Sequence, residues 1–172
     1  MRRHSAAACV KRSAVGAIAL PAALLLAGCT APLPDVTVYG DGTVVTVDPS
    51  LWCAADAADS TVSCRVNSGD AGAPRLRLTK GSAVSVNVPA LVGKAPWVVL
   101  FDYRDAQGRE QQARGPLFAA DTTRNYVLHP PGRSDQLLRV EIQSGLIPMA
   151  AATGTGVTYA ATHTWVLVID PA

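Results

Sequence analysis

The chain has 172 residues, 49% hydrophobic and only 16% charged, which suffices for one domain with an apolar core. Fifteen Lys and Arg against thirteen Asp and Glu give a formal charge of +2, but Arg2, Arg3, Lys11 and Arg12 crowd into the first twelve residues. Beyond them eleven bases face thirteen acids, all scattered, so no clustered basic face is left for a nucleic acid.

The basic start is followed by residues 13–28, which carry no charge and are rich in Ala, Leu, Val and Ile. That order is the n-region and h-region of a secretory signal. The apolar run is short of the roughly 20 residues that span a bilayer. It ends in Leu26-Ala27-Gly28-Cys29, which fits a bacterial lipobox at every position. Cys29 is therefore the expected lipidation site and mature N-terminus, with residues 1–28 a signal peptide and 29–34 a lipid-anchored tether. Arg2-Arg3 suggests twin-arginine export, but the residues after that pair do not support it, and general secretion is expected. Pro32 and Pro34 keep the tether extended.

Of the four cysteines, Cys9 lies in the leader and Cys29 takes lipid. Cys53 and Cys64 remain, an even pair in an exported domain, and a disulfide is expected. Its closed loop is short, with a chain-entropy contribution of roughly 3 kcal/mol. A redox or metal role would call for a C-x-x-C or a neighbouring His, and neither is present.

From Asp35 to Val47 apolar and Thr residues alternate about Asp41-Gly42, a strong hairpin signal that sets Tyr39 against Val44 and Val38 against Val45. Asp48 to Asp59 reads as a connection with a helical turn at Ala54–Ala58. Thr61–Val66 is a strand carrying Cys64, and 67–74 a loop. Arg75–Thr79 and Val84–Val88 alternate as strands, the second stopped by Pro89. Trp97–Arg104 is the strongest strand, turning at 105–108 into a polar edge strand at Arg109–Arg114. Asn125–His129 is stopped by Pro130-Pro131-Gly132. Gln136–Gln143 comes next, with Leu138, Val140 and Ile142 inward. Residues 146–162 are an Ala/Gly/Thr stretch with little strand pattern. Thr164–Ile169 is nearly all apolar, a strand buried on both faces.

Eight or nine short antiparallel strands with turns between them predict an all-β, immunoglobulin-like β-sandwich, a single domain over 35–172. Trp97, Phe101, Leu138, Val140 and Trp165 are its expected core. Both cysteines precede Trp97, so the disulfide is local and the sheets are held together by apolar packing.

The lipobox LAGC, the hairpin VTVYGDGTVVTV, the pair Cys53 and Cys64, the block APWVVLFDYRDAQG and the closing TWVLVID together resemble an uncharacterised family of actinobacterial lipoproteins, a domain of unknown function. The likeness covers most of the mature chain. It implies an exported protein, lipid-anchored at the outer face of the cytoplasmic membrane of a Gram-positive cell. It supplies no catalytic residues.

Motifs that carry chemistry are sparse. His129 and His163 stand at strand ends, thirty-four residues apart. A zinc site needs three or four ligands, and no metal or cofactor is expected. No Ser lies in a G-x-S-x-G. Asp102 and Arg104 share a strand face and could pair. Asp102 with Asp105 or Glu110 could form a glycosidase-like carboxylate set, but a solvated hairpin explains them better. Gly154 and Gly156 lack the Lys-Ser/Thr of a phosphate loop. Three readings are left: a non-catalytic interaction module for an envelope protein; a carrier or sensor of an apolar ligand such as a lipid, with 146–162 as a flap at a pocket mouth; and, least supported, a cell-wall hydrolase.

Overall fold

The computed structural model describes residues 32–56, 58–67, 69–150 and 156–172. Cys29 and its lipobox lie outside them, as does Gly154. Eleven strands form two sheets, and the four-residue helix α1 (Ala90–Gly93) is the only α-helix among the described residues. The strands are β1 (Val36–Gly40), β2 (Thr43–Val47), β3 (Pro49–Asp56), β4 (Thr61–Val66), β5 (Arg75–Leu78), β6 (Val84–Asn87), β7 (Trp97–Arg104), β8 (Glu110–Arg114), β9 (Asn125–Leu128), β10 (Gln136–Ala150) and β11 (Val157–Pro171).

The small sheet runs β2-β1-β6-β9 and the large one β4-β3-β11-β10-β7-β8, with β5 added beside β11. All pairings are antiparallel except β5 with β11. On that side of β11 two partners share one strand: β3 meets it at His163–Trp165, and β5 takes over at Val168–Pro171.

The first hairpin forms as its turn residues dictate. Asp41 and Gly42 both take positive φ (44° and 78°), and the register sets Tyr39 against Val44 and Val38 against Val45, as expected. The Asp41 carboxylate also accepts the Thr79 backbone N–H at 2.6 Å, tying this turn to the end of β5. That bond, with the Thr79 and Ser82 side chains, holds the Asp41 carboxyl below the usual carboxylate range.

Between the sheets lies one core. Val36, Val38, Val84, Val86 and Leu128 of the small sheet face Trp97, Val99, Phe101, Val140, Ile142, Trp165 and Leu167 of the large one. The sandwich class is as expected, with eleven strands in place of eight or nine. Four of the five expected core residues are buried. Leu138 is only half-buried, and Leu137 takes its place, because the β10–β7 register shifts at a bulge between Leu137 and Arg139. The helical turn expected at Ala54–Ala58 is not formed over Ala54–Asp56, which belong to β3. Pro49 opens that strand, a position where its missing N–H is tolerated.

The ends of the sandwich can be told apart. Trp165 Nε1 donates to the Pro34 carbonyl at 2.9 Å, and Pro49 pairs with Trp165, so the chain enters β1 at the level of Trp165. At the far end of β1, a Cβ on Gly40 would lie 2.9 Å from Leu78, which pairs with Pro171. We call the Pro34 end proximal and the Pro171 end distal. Trp97 and α1 are also proximal: Trp97 pairs with Ser144, whose buried hydroxyl donates to the Val92 carbonyl.

Candidate functional site

Two hairpins leave the core at the proximal end. The longer is β10–β11, fifteen residues in each strand. β7 accompanies β10 only as far as Ser144, and β3 pairs with β11 only at His163–Trp165. From Leu146–Ala161 to Ala150–Val157, the ladder pairs among the described residues join the two arms to each other alone. Gly145 sits where the arms leave the sheet. Its φ is +64°, and a Cβ there would lie 2.0 Å from Thr162 Oγ1 and 2.9 Å from His163 Nδ1, so only glycine fits. Ile147, Met149 and Val157 on the arms are 51%, 51% and 64% exposed. No residue from 142 to 162 is charged. Beside the arms, Val98, Leu100, Leu117, Leu146 and Tyr159 line an open depression of about 280 Å³.

The shorter hairpin is β3–β4. Not one of the six residues of β4 is buried, so apolar packing does not hold this strand. What holds it is the ladder to β3 and the Cys53–Cys64 disulfide, which joins directly opposed residues with Cα atoms 4.0 Å apart. The expected disulfide is thus formed, and it is local to one hairpin.

An aromatic clasp joins the two hairpins at their bases. The Trp52 ring lies 3.9 Å from the His163 ring, centroid to centroid, and meets Trp165 edge-on at 6.2 Å. His163 Nε2 is 3.1 Å from the Cys53 carbonyl, which can only accept, so Nε2 carries a proton. Nδ1 lies 3.1 Å from Thr162 Oγ1, which is also 3.1 Å from the Gly145 carbonyl. In a neutral ring the single Thr162 proton must serve one of these two acceptors. Burial pushes the His163 pKa down, against the opposing pull of the Cys53 carbonyl bond. Sequence reasoning missed Trp52 and the linking role of His163. The signal within reach was Gly145, an isolated glycine in an apolar run, which marks a close approach or bulge.

The remaining candidates do not converge. His129 is exposed just after Leu128, which pairs with Val84 at the distal end, so His129 and His163 stand at opposite ends. Asp102 and Arg104 do not pair with each other. Asp102 accepts from the Gln112 amide at 3.1 Å and faces Arg139 at 4.0 Å, while Arg104 reaches Glu110 at 2.8 Å. Asp105 is engaged by its own turn; the Arg109 backbone N–H above all holds its carboxyl below the usual range. A general acid needs the opposite shift. Gly156 takes φ +94° at the start of β11. Among the described residues no three His, Cys, Asp or Glu side chains are grouped to hold a metal ion. A polar depression of about 720 Å³ lies beside α1, lined by Lys94, Asp121, Arg124 and Asn125 among others.

The fold and its projecting hairpins define the class: an all-β sandwich domain with two hairpins that extend beyond the core at one end. Residues 30–170 match a family described as a protein of unknown function (DUF2771), and the chain belongs to that family. No curated protein and no solved structure matches the chain.

Proposed function

We propose that the protein is an exported actinobacterial envelope lipoprotein, acylated on Cys29 at the outer face of the cytoplasmic membrane, and that it acts as a non-catalytic module docking an envelope protein. The observation that carries the docking role is β4. Ordering a residue costs about 1–2 kcal/mol of backbone entropy, normally offset by burial. β4 buries none of its residues, leaves Val62 and Val66 66% and 75% exposed, and is fastened by a disulfide. Its outer edge has no neighbouring strand in the sheet. Such an edge is suited to receive a partner's strand by β-addition. β8, the opposite edge, has no exposed Val and carries Glu110 and Arg114 against the single Arg65 of β4; charged edges discourage such pairing.

The anchor is tested by the mass of the N-terminal peptide of the mature protein: an acylated Cys29 is expected, and an uncleaved leader sinks the anchored reading. Docking is tested with a photo-crosslinking side chain at position 62 in intact cells, with position 111 on β8 as control. A discrete protein adduct from 62 alone is expected; equal labelling from both sites refutes the β4 edge.

A second reading, a carrier or sensor of an apolar envelope ligand, draws on the depression beside Tyr159. Ligand sites are concave and combine apolar walls with a few placed polar groups, and here Arg114 and Gln143 stand among Val98, Leu100, Leu146 and Tyr159. Lipid extracted with the purified protein, and lost in Tyr159→Asp, would favour it over docking.

A further inference from the structure

We infer that the arms of the β10–β11 hairpin insert into the lipid interface of the same bilayer that holds Cys29. The inference rests on the anchored reading above and extends it from a tether to a second, protein-built contact.

Three observations carry it. The first is direction and reach. The tether joins the sandwich at Pro34, fixed to Trp165 at the base of the hairpin. Pro34 is five residues beyond Cys29, at most about 18 Å of extended chain. Val157 lies eight residues along β11 from Trp165, about 26 Å at the rise of a strand. The hairpin leaves from the end that bears the tether, and it is the longer of the two. A domain on this tether cannot carry the hairpin clear of the bilayer by moving outward; it would have to turn over.

The second is that the arms are apolar on both faces. Opposed residues share a face and successive residues alternate. With Met149 against Thr158 and Ala150 against Val157, Ile147 and Met149 fall on one face, and Tyr159 and Val157 on the other. A hairpin lying on a protein surface needs one apolar face and a polar back. One surrounded by acyl chains and headgroups needs neither face polar, and a Tyr near the water boundary suits that place.

The third is charge. No residue from 142 to 162 is charged, and the adjacent β3–β4 hairpin carries two acids, Asp56 and Asp59, against one base, Arg65, so it presents no basic cluster. The contact is therefore apolar and does not depend on anionic lipid.

The test uses the full acylated protein in phosphatidylcholine vesicles, with a nitroxide on Met149→Cys and, separately, on Thr158→Cys. Gln107→Cys on the distal 105–108 turn is the aqueous control. Retention of the parent melting temperature establishes that each variant folds. Power-saturation contrast between oxygen and a water-soluble nickel chelate is read at each site. The expected result is an oxygen preference several-fold higher at 149 and 158 than at 107, unchanged by high salt or by added phosphatidylglycerol. Labels as aqueous at 149 and 158 as at 107 overturn the inference. So do labels screened from both reagents, which would mean that a protein or a second copy covers the arms. The mass of Cys29 in the same sample separates the failures: an unmodified Cys29 defeats the anchored reading and this inference with it, whereas an acylated Cys29 with aqueous labels defeats this inference alone.

Discussion

Gly145 offers a sharp test of how the hairpin is attached. Gly42 and Gly145 both take positive φ, +78° and +64°, but nothing lies within 4 Å of a Cβ placed on Gly42, while one on Gly145 meets Thr162 Oγ1 at 2.0 Å. An L-residue in the left-handed region costs roughly 1–2 kcal/mol. Replacing Gly by Ala also removes freedom from the unfolded chain, which returns about 0.4–1 kcal/mol. Gly42→Ala should thus destabilise by about 1 kcal/mol or less. Gly145→Ala adds displacement of the Thr162 hydroxyl, whose one donated bond, to the Gly145 carbonyl or to His163, is lost at about 1 kcal/mol. A total of roughly 2 kcal/mol is expected. Urea denaturation followed by tryptophan fluorescence measures both at constant m. The double variant Gly145→Ala with Thr162→Ala should recover about 1 kcal/mol relative to the sum of the single losses, because the clash is counted once. Equal losses at 42 and 145, or strict additivity of the double variant, would refute the steric account.

Three further outcomes are expected. Reducing the Cys53–Cys64 bond, or replacing both residues by Ser, should lower stability by up to roughly 3 kcal/mol and open the β3–β4 turn to protease before the core; an unchanged cleavage pattern would refute the view that the bond, not packing, holds β4. Because burial lowers the His163 pKa, the unfolded chain takes up the proton first, so stability should fall as pH drops below about 6.5 and level off below the depressed folded value; His163→Gln should flatten that limb of a pH-stability curve. Leu137→Ala should cost about 2–5 kcal/mol and Leu138→Ala distinctly less; the reverse order in denaturation would contradict the bulge in β10.

What could be read from the sequence was whatever local chemistry decides. The Asp41-Gly42 turn selects its own register through two positive φ angles, and the alternation of Trp97, Val99 and Phe101 marks an inward face. The misses arise where partners decide. β3 begins in Pro49 and ends in Ala54, Ala55 and Asp56, residues with little liking for strands, and these become strand because β4 and β11 supply the ladder. The arms at 146–150 and 157–162 alternate too little to announce themselves; they are strand because they continue a ladder already set at Ser144–His163. The inward turn of Leu137 depends on a bulge that no local signal encodes. Of the site, the Cys53–Cys64 bond was legible from cysteine count and compartment alone, whereas the Trp52–His163–Trp165 clasp joins residues more than a hundred positions apart.

The exceptions to burial carry more information than the core does. Exposed apolar side chains are ordinary on a protein surface, and Tyr39, Val44 and Val127 form one short row with Ser85 across the outer face of the small sheet. Val62 and Val66, Leu91, Leu117, Ile147, Met149, Val157 and Tyr159 differ, since they belong to the proximal helix, the loop paired with Trp97 and the two hairpins. The ion pairs are distributed the other way. Every ion pair among the described residues draws on Asp70, Arg75, Asp102, Arg104, Asp105, Arg109, Glu110, Arg139, Glu141 or Asp170, away from both sets of projecting arms. A domain that worked free in water would gain by reversing this, since contiguous apolar surface invites aggregation and a single charge on an arm would suppress it. Keeping the β10–β11 arms uncharged makes physical sense where those arms are not left to water. Pro34, five residues after Cys29, enters the fold at the same end as those arms.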